Sequence, residues 1–377
     1  MVSAAREECP TFTDLTSVPA SPWRGLHGRA IEPNAYYDPL WAVQVSQHAR
    51  GRHGAKALLA WDKDRLIGLM PVRWSRQALS LPLPMLVGWS AYAPLTVPTL
   101  DRDHALRAAA ELIDAARKTG ARALLLPGAA IDGAAFRALE QTLGQQNLRA
   151  EILQSYRRAA LNATGDAETT LREALGAKKL KELRRQRNRL EDSGALTVSV
   201  ATAPNDVAAA LEEFLALEAR GWKGQRGTAL AQNAGDAAFI RAAAPELAAL
   251  RRFEIISLTR NGATLASGLV LRDGATAYFF KIAMDESEAR CSPGVQLTLD
   301  LTRHLCADPA ITSADSSTDF THPMIDHVWR DRIEIADVFV PLHRNDPVAA
   351  GLRVLVKARH RAIDLFRATR RIREKMS

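Results

Sequence analysis

The stretch Tyr278-Phe279-Phe280-Lys281-Ile282-Ala283-Met284-Asp285-Glu286, followed closely by Ser292-Pro293-Gly294-Val295-Gln296-Leu297, decides the fold. An aromatic and β-branched run bounded by polar turn residues predicts a strand, here Ala275 to Ile282. Two more such runs precede it, Phe253 to Thr259 and Leu265 to Leu271, separated by Asn261-Gly262 and Asp273-Gly274. Asn-Gly and Asp-Gly tolerate the positive φ of two-residue hairpin turns, so the three runs predict an antiparallel meander. Ser292-Pro293-Gly294 then opens a helix from Val295 to Cys306. Proline suits a first turn, where its missing N–H costs little. The unpaired donors and partial positive charge of that turn suit a pyrophosphate. Gly294 would let the backbone approach it closely, and Arg290 would add a charge-assisted contact.

Outward from this stretch the chain alternates helix and strand. Strand Leu196 to Ala201 and helices Asn205 to Gly221 and Asp236 to Leu250 come before the meander. The first of these helices carries Val207, Leu211, Phe214, Leu215 and Glu218 on one side. After the meander follow a short strand Ile311 to Ala314, a helix near His322 to Trp329 and a last strand Ile333 to Val340. An earlier α/β unit has a helix at Trp41 to Arg50 and strands at Ala57 to Trp61, Leu66 to Trp74, Leu95 to Val97 and Ala123 to Leu126. Its other helices are His104 to Lys118 and Gly133 to Leu143. A long helix, Asp166 to Glu191, joins the two units. Its stripe of Leu171, Leu175, Leu180, Leu183 and Leu190 is surrounded by Lys178, Lys179, Lys181, Arg184, Arg185, Arg187 and Arg189. That basic run reads either as a solvated face or as a contact for phosphate or an anionic polymer. The expected fold class is therefore α/β (α+β), with mostly antiparallel mixed sheets flanked by helices. The expected organisation is an N-terminal arm (1–40), a first unit (41–155), the basic connecting helix (166–192), a second unit (195–345) and a basic tail (346–377).

At 377 residues, two domains are the expectation, and 47% hydrophobic with 24% charged residues is a globular composition. The first ten residues contain Glu7 and Glu8 and lack the apolar segment of a signal peptide, and no apolar run is long enough to span a bilayer. Cys9, Cys291 and Cys306 have neither disulfide nor metal spacing. A reducing cytoplasm, without a metal cofactor, fits these features. From Gly351 onward nine basic residues face two acidic ones, so the tail holds almost all of the net charge of +8. The near-neutral body argues against a nucleic-acid partner. In the tail, Leu352, Leu355, Val356, Ile363, Phe366 and Ile372 alternate with the basic residues at helical spacing. Such a helix either packs on the body or meets an anionic membrane surface or a partner protein.

The run from Tyr278 through Leu297 resembles the GNAT-type acetyltransferases associated with bacterial cellulose and exopolysaccharide synthesis (CelD/BcsL-like), relatives of the Fem-type aminoacyl-transferases. Asp315 and Trp329 stand where that group has a strand ending in Asp and then a Trp-bearing helix. The basic run Arg184-Arg185-Gln186-Arg187-Asn188-Arg189-Leu190-Glu191 and the opening Trp23, Asn34 and Pro39-Leu40-Trp41 match as well. The resemblance spans roughly residues 20–345. It implies two tandem GNAT-like halves, of which only the second keeps a cofactor site, with acetyl-CoA or another acyl-CoA as donor. The implied acceptor is a sugar or amine of envelope or exopolysaccharide metabolism. Where that family carries two glycines in its cofactor loop, this chain has Arg290-Cys291-Ser292-Pro293-Gly294-Val295-Gln296, with one.

Acyl transfer needs a polarised thioester and a deprotonated acceptor. Candidates for the second task are Asp315, at the end of a short buried strand, and His322 on the next loop, oriented by Asp315 or Asp319. Both could equally cap local turns. Lys281 either points into the cleft, toward phosphate or an acceptor carboxylate, or outward to solvent. Cofactor contacts are expected from Arg290, Ser292, Pro293, Gly294 and Val295. An aminoacyl-tRNA donor, and a GNAT-fold assembly module without catalysis, are the two alternative functions.

Overall fold

One continuous sheet carries both halves of the chain. The computed structural model describes residues 9–51, 54–318 and 324–376. Its strands are β1 (Phe12–Asp14), β2 (Lys56–Asp62), β3 (Arg65–Trp74), β4 (Met85–Gly88), β5 (Thr99–Leu100), β6 (Ala123–Ala130), β7 (Glu151–Asn162), β8 (Leu196–Ala201), β9 (Phe253–Arg260), β10 (Ala263–Asp273), β11 (Thr276–Met284), β12 (Ser313–Asp315) and β13 (Asp331–Pro341). The helices are α1 (Ala20–Gly28), α2 (Pro39–His48), α3 (Ser75–Leu79), α4 (Ala105–Lys118), α5 (Ala134–Gln145), α6 (Ala167–Asp192), α7 (Pro204–Arg220), α8 (Trp222–Gln225), α9 (Ala234–Ala249), α10 (Pro293–Ala307), α11 (Ile325–Val328) and α12 (Pro347–Met376).

The strand order is β1-β2-β3-β4-β6-β13-β7-β12-β11-β10-β9-β8, with β5 paired to β3. The pattern repeats. In each half an antiparallel set (β2-β3-β4 or β9-β10-β11) is followed by a crossover helix (α4 or α10) and a strand parallel to the third (β6 or β12). The next strand lies across the middle of the sheet: β7 flanks β12 and β13 flanks β6, and the two pair with each other from Asp331↔Ala160 to Phe339↔Glu151. The strand that ends the second unit in sequence therefore lies among the strands of the first. A mixed, mostly antiparallel α/β sheet with flanking helices is the expected class.

The meander forms as its turns dictate, with one shift. Asn261 and Gly262 both have positive φ, 50° and 81°, between Arg260 and Ala263, which pair. In the second hairpin Asp273 pairs with Thr276, so the turn residues are Gly274 and Ala275, and Gly274 alone takes positive φ. Asp273 stays in the strand because its carboxylate is bound by His27 Nε2 (3.0 Å) and the Asn34 N–H (2.8 Å).

Other expectations needed correction. Leu95 to Val97 is not a strand; Thr96 is tied to β6 through Pro127 O and Gly128 O, and the neighbouring strand is β5. The strands β4 and β7 escaped the sequence reading. In β7 the segment Glu151 to Arg157 shows little burial, which hides the apolar alternation. The connecting helix is broken at Gly176 (φ 73°, ψ 159°), a conformation that only glycine adopts cheaply. The helix placed near His322 to Trp329 is only α11, and residues 319–323 lie outside the described ones. The opening segment is anchored in the core, where Trp23, Tyr36, Tyr37 and Trp41 are fully buried. Trp41 sits edge-on to Phe280 (4.9 Å between ring centroids) and to Phe239 (5.3 Å), tying the arm to β11 and α9.

Replacing Trp41 by Ala removes that bridge and is expected to cost about 3–5 kcal/mol of stability, read as a lower urea midpoint. A midpoint unchanged within error would contradict its place in the core.

Candidate active site

The site begins where β11 and β12 part. They pair in parallel only over Thr276↔Ser313, Ala277↔Ala314 and Tyr278↔Asp315. Across β11 on its other side, Leu269 faces Lys281 while Val270 faces Phe279, so Phe280 is an extra residue in the ladder. A bulge of this kind bends its strand and leaves backbone groups unpaired. Beyond Tyr278, β11 runs on to Met284 with its edge facing a wedge of about 120 Å³. The opposite wall is Ser316, Ser317 and Thr318, and Met324, Ile325 and Lys223 close the side. Ile282, Met324 and Lys223 also line an adjoining space of about 290 Å³ beside Trp222 and Met284. The edge from Phe279 to Met284 extends roughly 17 Å at strand rise.

That edge leads to the first turn of α10. Ser292, the residue before the helix, is left-handed (φ 52°), and its side chain does not cap the turn. Pro293 takes the first helical position, so the N–H groups of Gly294 and Val295 are the leading donors of the turn. A Cβ on Gly294 would lie 2.9 Å from Met284 Sδ and 3.3 Å from Met324 Sδ. This glycine therefore allows the helix to sit against β11 as well as leaving the loop backbone bare. Arg290 is exposed and makes no ion pair among the described residues, so its guanidinium is available beside the turn. The exposed Lys178, Lys181, Arg184, Arg185 and Arg189 lie on α6, which packs on α10, where Gln296 Nε2 donates to the Leu183 carbonyl (2.8 Å).

Asp315 is 2% exposed and ends β12 as expected. Its Oδ2 accepts from Arg158 Nη2 at 2.5 Å, and its Oδ1 accepts from the Ser317 N–H at 2.8 Å. Arg158 also donates to Pro94 O (2.9 Å). With these partners Asp315 fixes the mouth of the wedge. His322 and Asp319, proposed with it, lie outside the described residues. Ser317 takes a left-handed φ of 54° and its Oγ meets Tyr36 Oη at 2.5 Å, so a residue of the opening segment reaches the cleft. Burial first, and the Asp315 charge second, raise the Tyr36 phenol well above its ordinary pKa, so it remains a neutral hydrogen-bonding group.

Lys281 lines the wedge but is not free: its Nζ lies 2.9 Å from Glu218 Oε1. Lys223 shares that oxygen at 3.3 Å and donates to Ile282 O at 2.7 Å. The other Glu218 oxygen accepts the Leu230 N–H at 2.8 Å. Burial, then the Lys281 charge, lowers the Lys223 pKa, partly offset by Glu218. A carboxylate on the apolar stripe of α7 signalled a buried cationic partner, and Glu218 was that signal. Arg158, Tyr36, Lys223 and Ser317 carried none, because each reaches the site through pairing or crossing that is remote in sequence. Among the described residues no group of His, Cys, Asp or Glu side chains is placed to hold a metal ion.

In the first half the segment after β4 is tied to β6 by Thr96. Thr96 Oγ1 donates to Pro127 O (2.7 Å) and the Thr96 N–H to Gly128 O. Among the described residues, the second half leaves a wedge beside a helix start that no side chain caps. Residues 177–322, less than half of the chain, match the Acetyltransferase (GNAT) domain family. The fold is similar to the C-terminal DUF2156 domain of an Agrobacterium fabrum protein assigned as a lysylphosphatidylglycerol synthetase: TM-score 0.56, 14% identity, covering 89% of this chain and 95% of that one. It is similar also to FemX, with TM-score 0.55, 10% identity, and 90% and 98% covered. A Bacteroides thetaiotaomicron protein of unknown function has TM-score 0.51, 14% identity, and 88% and 100% covered. No curated protein sequence matches the chain.

Arg158→Ala leaves Asp315 buried without its cation and is expected to cost about 3–5 kcal/mol in urea denaturation. The double change Arg158→Met, Asp315→Leu should recover most of that loss. Equal losses in the single and double variants would contradict the pairing argument.

Proposed function

We propose that the protein is an acyl-CoA-dependent N- or O-acyltransferase that draws its acyl group from acetyl-CoA or a related thioester. The acceptor is a sugar or amine, and envelope or exopolysaccharide metabolism is the setting the sequence resemblance suggests. The observation that carries this reading is the wedge: a bulged strand edge, capped at Ile282 O by Lys223, that leads to a helix N-terminus no side chain caps, with Arg290 exposed beside it and unpaired among the described residues. In this reading the pyrophosphate rests on the N–H groups of Gly294 and Val295, with Ser292 and Pro293 shaping the turn and Arg290 adding charge. The donor arm lies along Phe279 to Met284, bonding to backbone that β12 does not use. The N–H groups freed at the Phe280 bulge polarise the thioester carbonyl, where negative charge develops as the acceptor attacks. Asp315 serves as a positioning residue, holding Arg158 and Ser317 at the mouth. Lys281 and Lys223, clamped on Glu218, line the arm's path. His322 remains a candidate base.

A second reading has a specific observation in its favour. The exposed basic residues of α6 flank the same loop, and an aminoacyl-tRNA donor would present phosphates there.

Arg290→Ala should leave the melting temperature of the free protein unchanged and weaken acetyl-CoA binding roughly tenfold, the scale of one charge-assisted hydrogen bond. Binding is read from the rise in melting temperature with acetyl-CoA. No rise in the parent protein at millimolar acetyl-CoA, with a rise from aminoacyl-tRNA, would replace the first reading by the second.

We propose a peripheral role for the tail as well. Leu352 and Val356 of α12 pack with Phe339 and Leu125, and Arg353 and Lys357 pair with Glu151, while Val354 and Leu355 stay exposed. No helix among the described residues is long and apolar enough to cross a membrane. A chain ending at Ile363 keeps the packed residues and loses Arg367, Arg370, Arg371, Arg373 and Lys375. Sedimentation with phosphatidylglycerol vesicles should carry down the full chain and not the shortened one. Equal sedimentation of both would remove the membrane role.

A further inference from the structure

A second cavity, of about 500 Å³, opens on the same sheet face as the wedge and shares two of its residues, Phe280 and Ser317. That volume lies within the range of small-ligand sites. Its floor is the middle of the sheet: Gln154 and Tyr156 of β7 line it, and Arg158 follows at the same two-residue spacing, closer to β12. Its far wall is made by Asp337 and Gly128, and its rim by the exposed Ser90 and by Tyr92.

Three features suggest recognition rather than leftover space. The first is the placement of Asp337. Both ladders of β13 slip beside it, between Ala336 and Val338 against β6 and between Asp337 and Val338 against β7. Coincident bulges re-aim a side chain, and here they bring this carboxylate to the cavity wall. Opposite, Gly128 takes a φ of 74° and donates its N–H to Asp337 Oδ1 at 2.9 Å. His360 Nε2 of α12 lies 3.2 Å from the other oxygen, outside the lining.

The second feature is charge. Among the described residues of the lining, Asp337 is the only formally charged one. Arg158, the nearest buried cation along β7, is already bound by Asp315 and Pro94 O. The third is aromatic content: Tyr92, Tyr156 and Phe280 all border the space, with Tyr92 6.2 Å from Phe280 between ring centroids. A carboxylate combined with aromatic walls is the chemistry that attracts an ammonium group, through direct charge and through the ring faces. Ser90, Gln154 and Ser317 add hydrogen-bonding groups suited to hydroxyls.

We infer that this cavity is the acceptor site, and that it takes a small hydroxyl- or amine-bearing molecule carrying a protonated amine, held by Asp337. The acceptor's reacting group then reaches the shared corner at Phe280 and Ser317, where the wedge ends. An anionic acceptor is disfavoured by the Asp337 carboxylate on the cavity wall, and a neutral one forgoes its strongest contact. The inference rests on the acyltransferase reading for the word acceptor, whereas the binding chemistry stands on the cavity alone.

The test uses matched probes on the full chain without donor: glucosamine against glucose, and putrescine against 1,4-butanediol. Binding is read by the rise in melting temperature and by intrinsic fluorescence. At least one cationic probe should bind ten or more times tighter than its neutral partner. Asp337→Asn, which retains an oxygen for the Gly128 N–H, should abolish that preference. Ser90→Arg, which adds a cation at the exposed rim, should abolish it without touching Asp337. Both variants should keep the melting shift given by acetyl-CoA. The inference is overturned if cationic and neutral probes bind alike, if no probe binds, or if the preference survives in both variants. Loss of the acetyl-CoA shift in the parent, with the amine preference intact, would instead overturn the donor assignment and leave the amine site standing.

Discussion

Arg158 has no exposed side-chain surface, and the carboxylate it meets, on Asp315, is almost as buried. The cost of removing both charges from water is large, and it is offset only when the remaining hydrogen-bonding positions are also filled. Here most of them are: Pro94 O takes a second guanidinium N–H and the Ser317 N–H binds the second carboxylate oxygen, while Arg158 Nε has no partner among the described residues. The contact joins β7, which arrives from the first half of the chain, to the last residue of β12. It therefore holds the point at which β12 stops following β11. Everything that gives the cleft its shape depends on that stop. Ser317 is turned into a left-handed conformation beside it, Tyr36 reaches Ser317 from the opening segment, and the bulge at Phe280 bends the other wall away.

The two halves share one topology and differ in what they do with it. In the first, Thr96 ties the segment after β4 to β6. In the second a wedge opens where β11 and β12 part and leads to a helix start that no side chain caps. The exchange of β7 and β13 across the middle makes the halves interdependent: β12 has β7 as its second neighbour, and β6 has β13. The crossing also brings residues from distant parts of the sequence, Tyr36, Arg158, Phe280 and Ser317, to one corner. The wedge and the larger cavity meet at that corner, which suits a reaction joining two substrates.

Local chemistry was legible in the sequence. Asn261-Gly262 set the first hairpin because both residues accept positive φ, and Ser292-Pro293-Gly294 marked the helix start because proline and glycine each have a specific place there. Glu218, on an otherwise apolar helix face, is a signal whose meaning came only with the structure, where Lys281 and Lys223 share its carboxylate. Non-local features were not legible. The strand β7 lacks clean alternation because much of it lies beside an open cavity, and its place beside β12 follows from a crossover that no periodicity records. The partner of Asp315 could not be read for the same reason: Arg158 stands in an unremarkable Arg157-Arg158 pair far upstream. Asp337 gained its role from two ladder slips, which depend on the pairing of three strands.

In the proposed donor path, the edge of β11 beyond Tyr278 receives the thioester arm. Amide hydrogen exchange of the full chain with and without acetyl-CoA tests it most directly. Slowed exchange should appear across Phe279 to Met284 and at Gly294 and Val295, with Met85 to Gly88, the matching strand of the first half, unchanged. Exchange unaffected along β11, or slowed instead along β4, would contradict it.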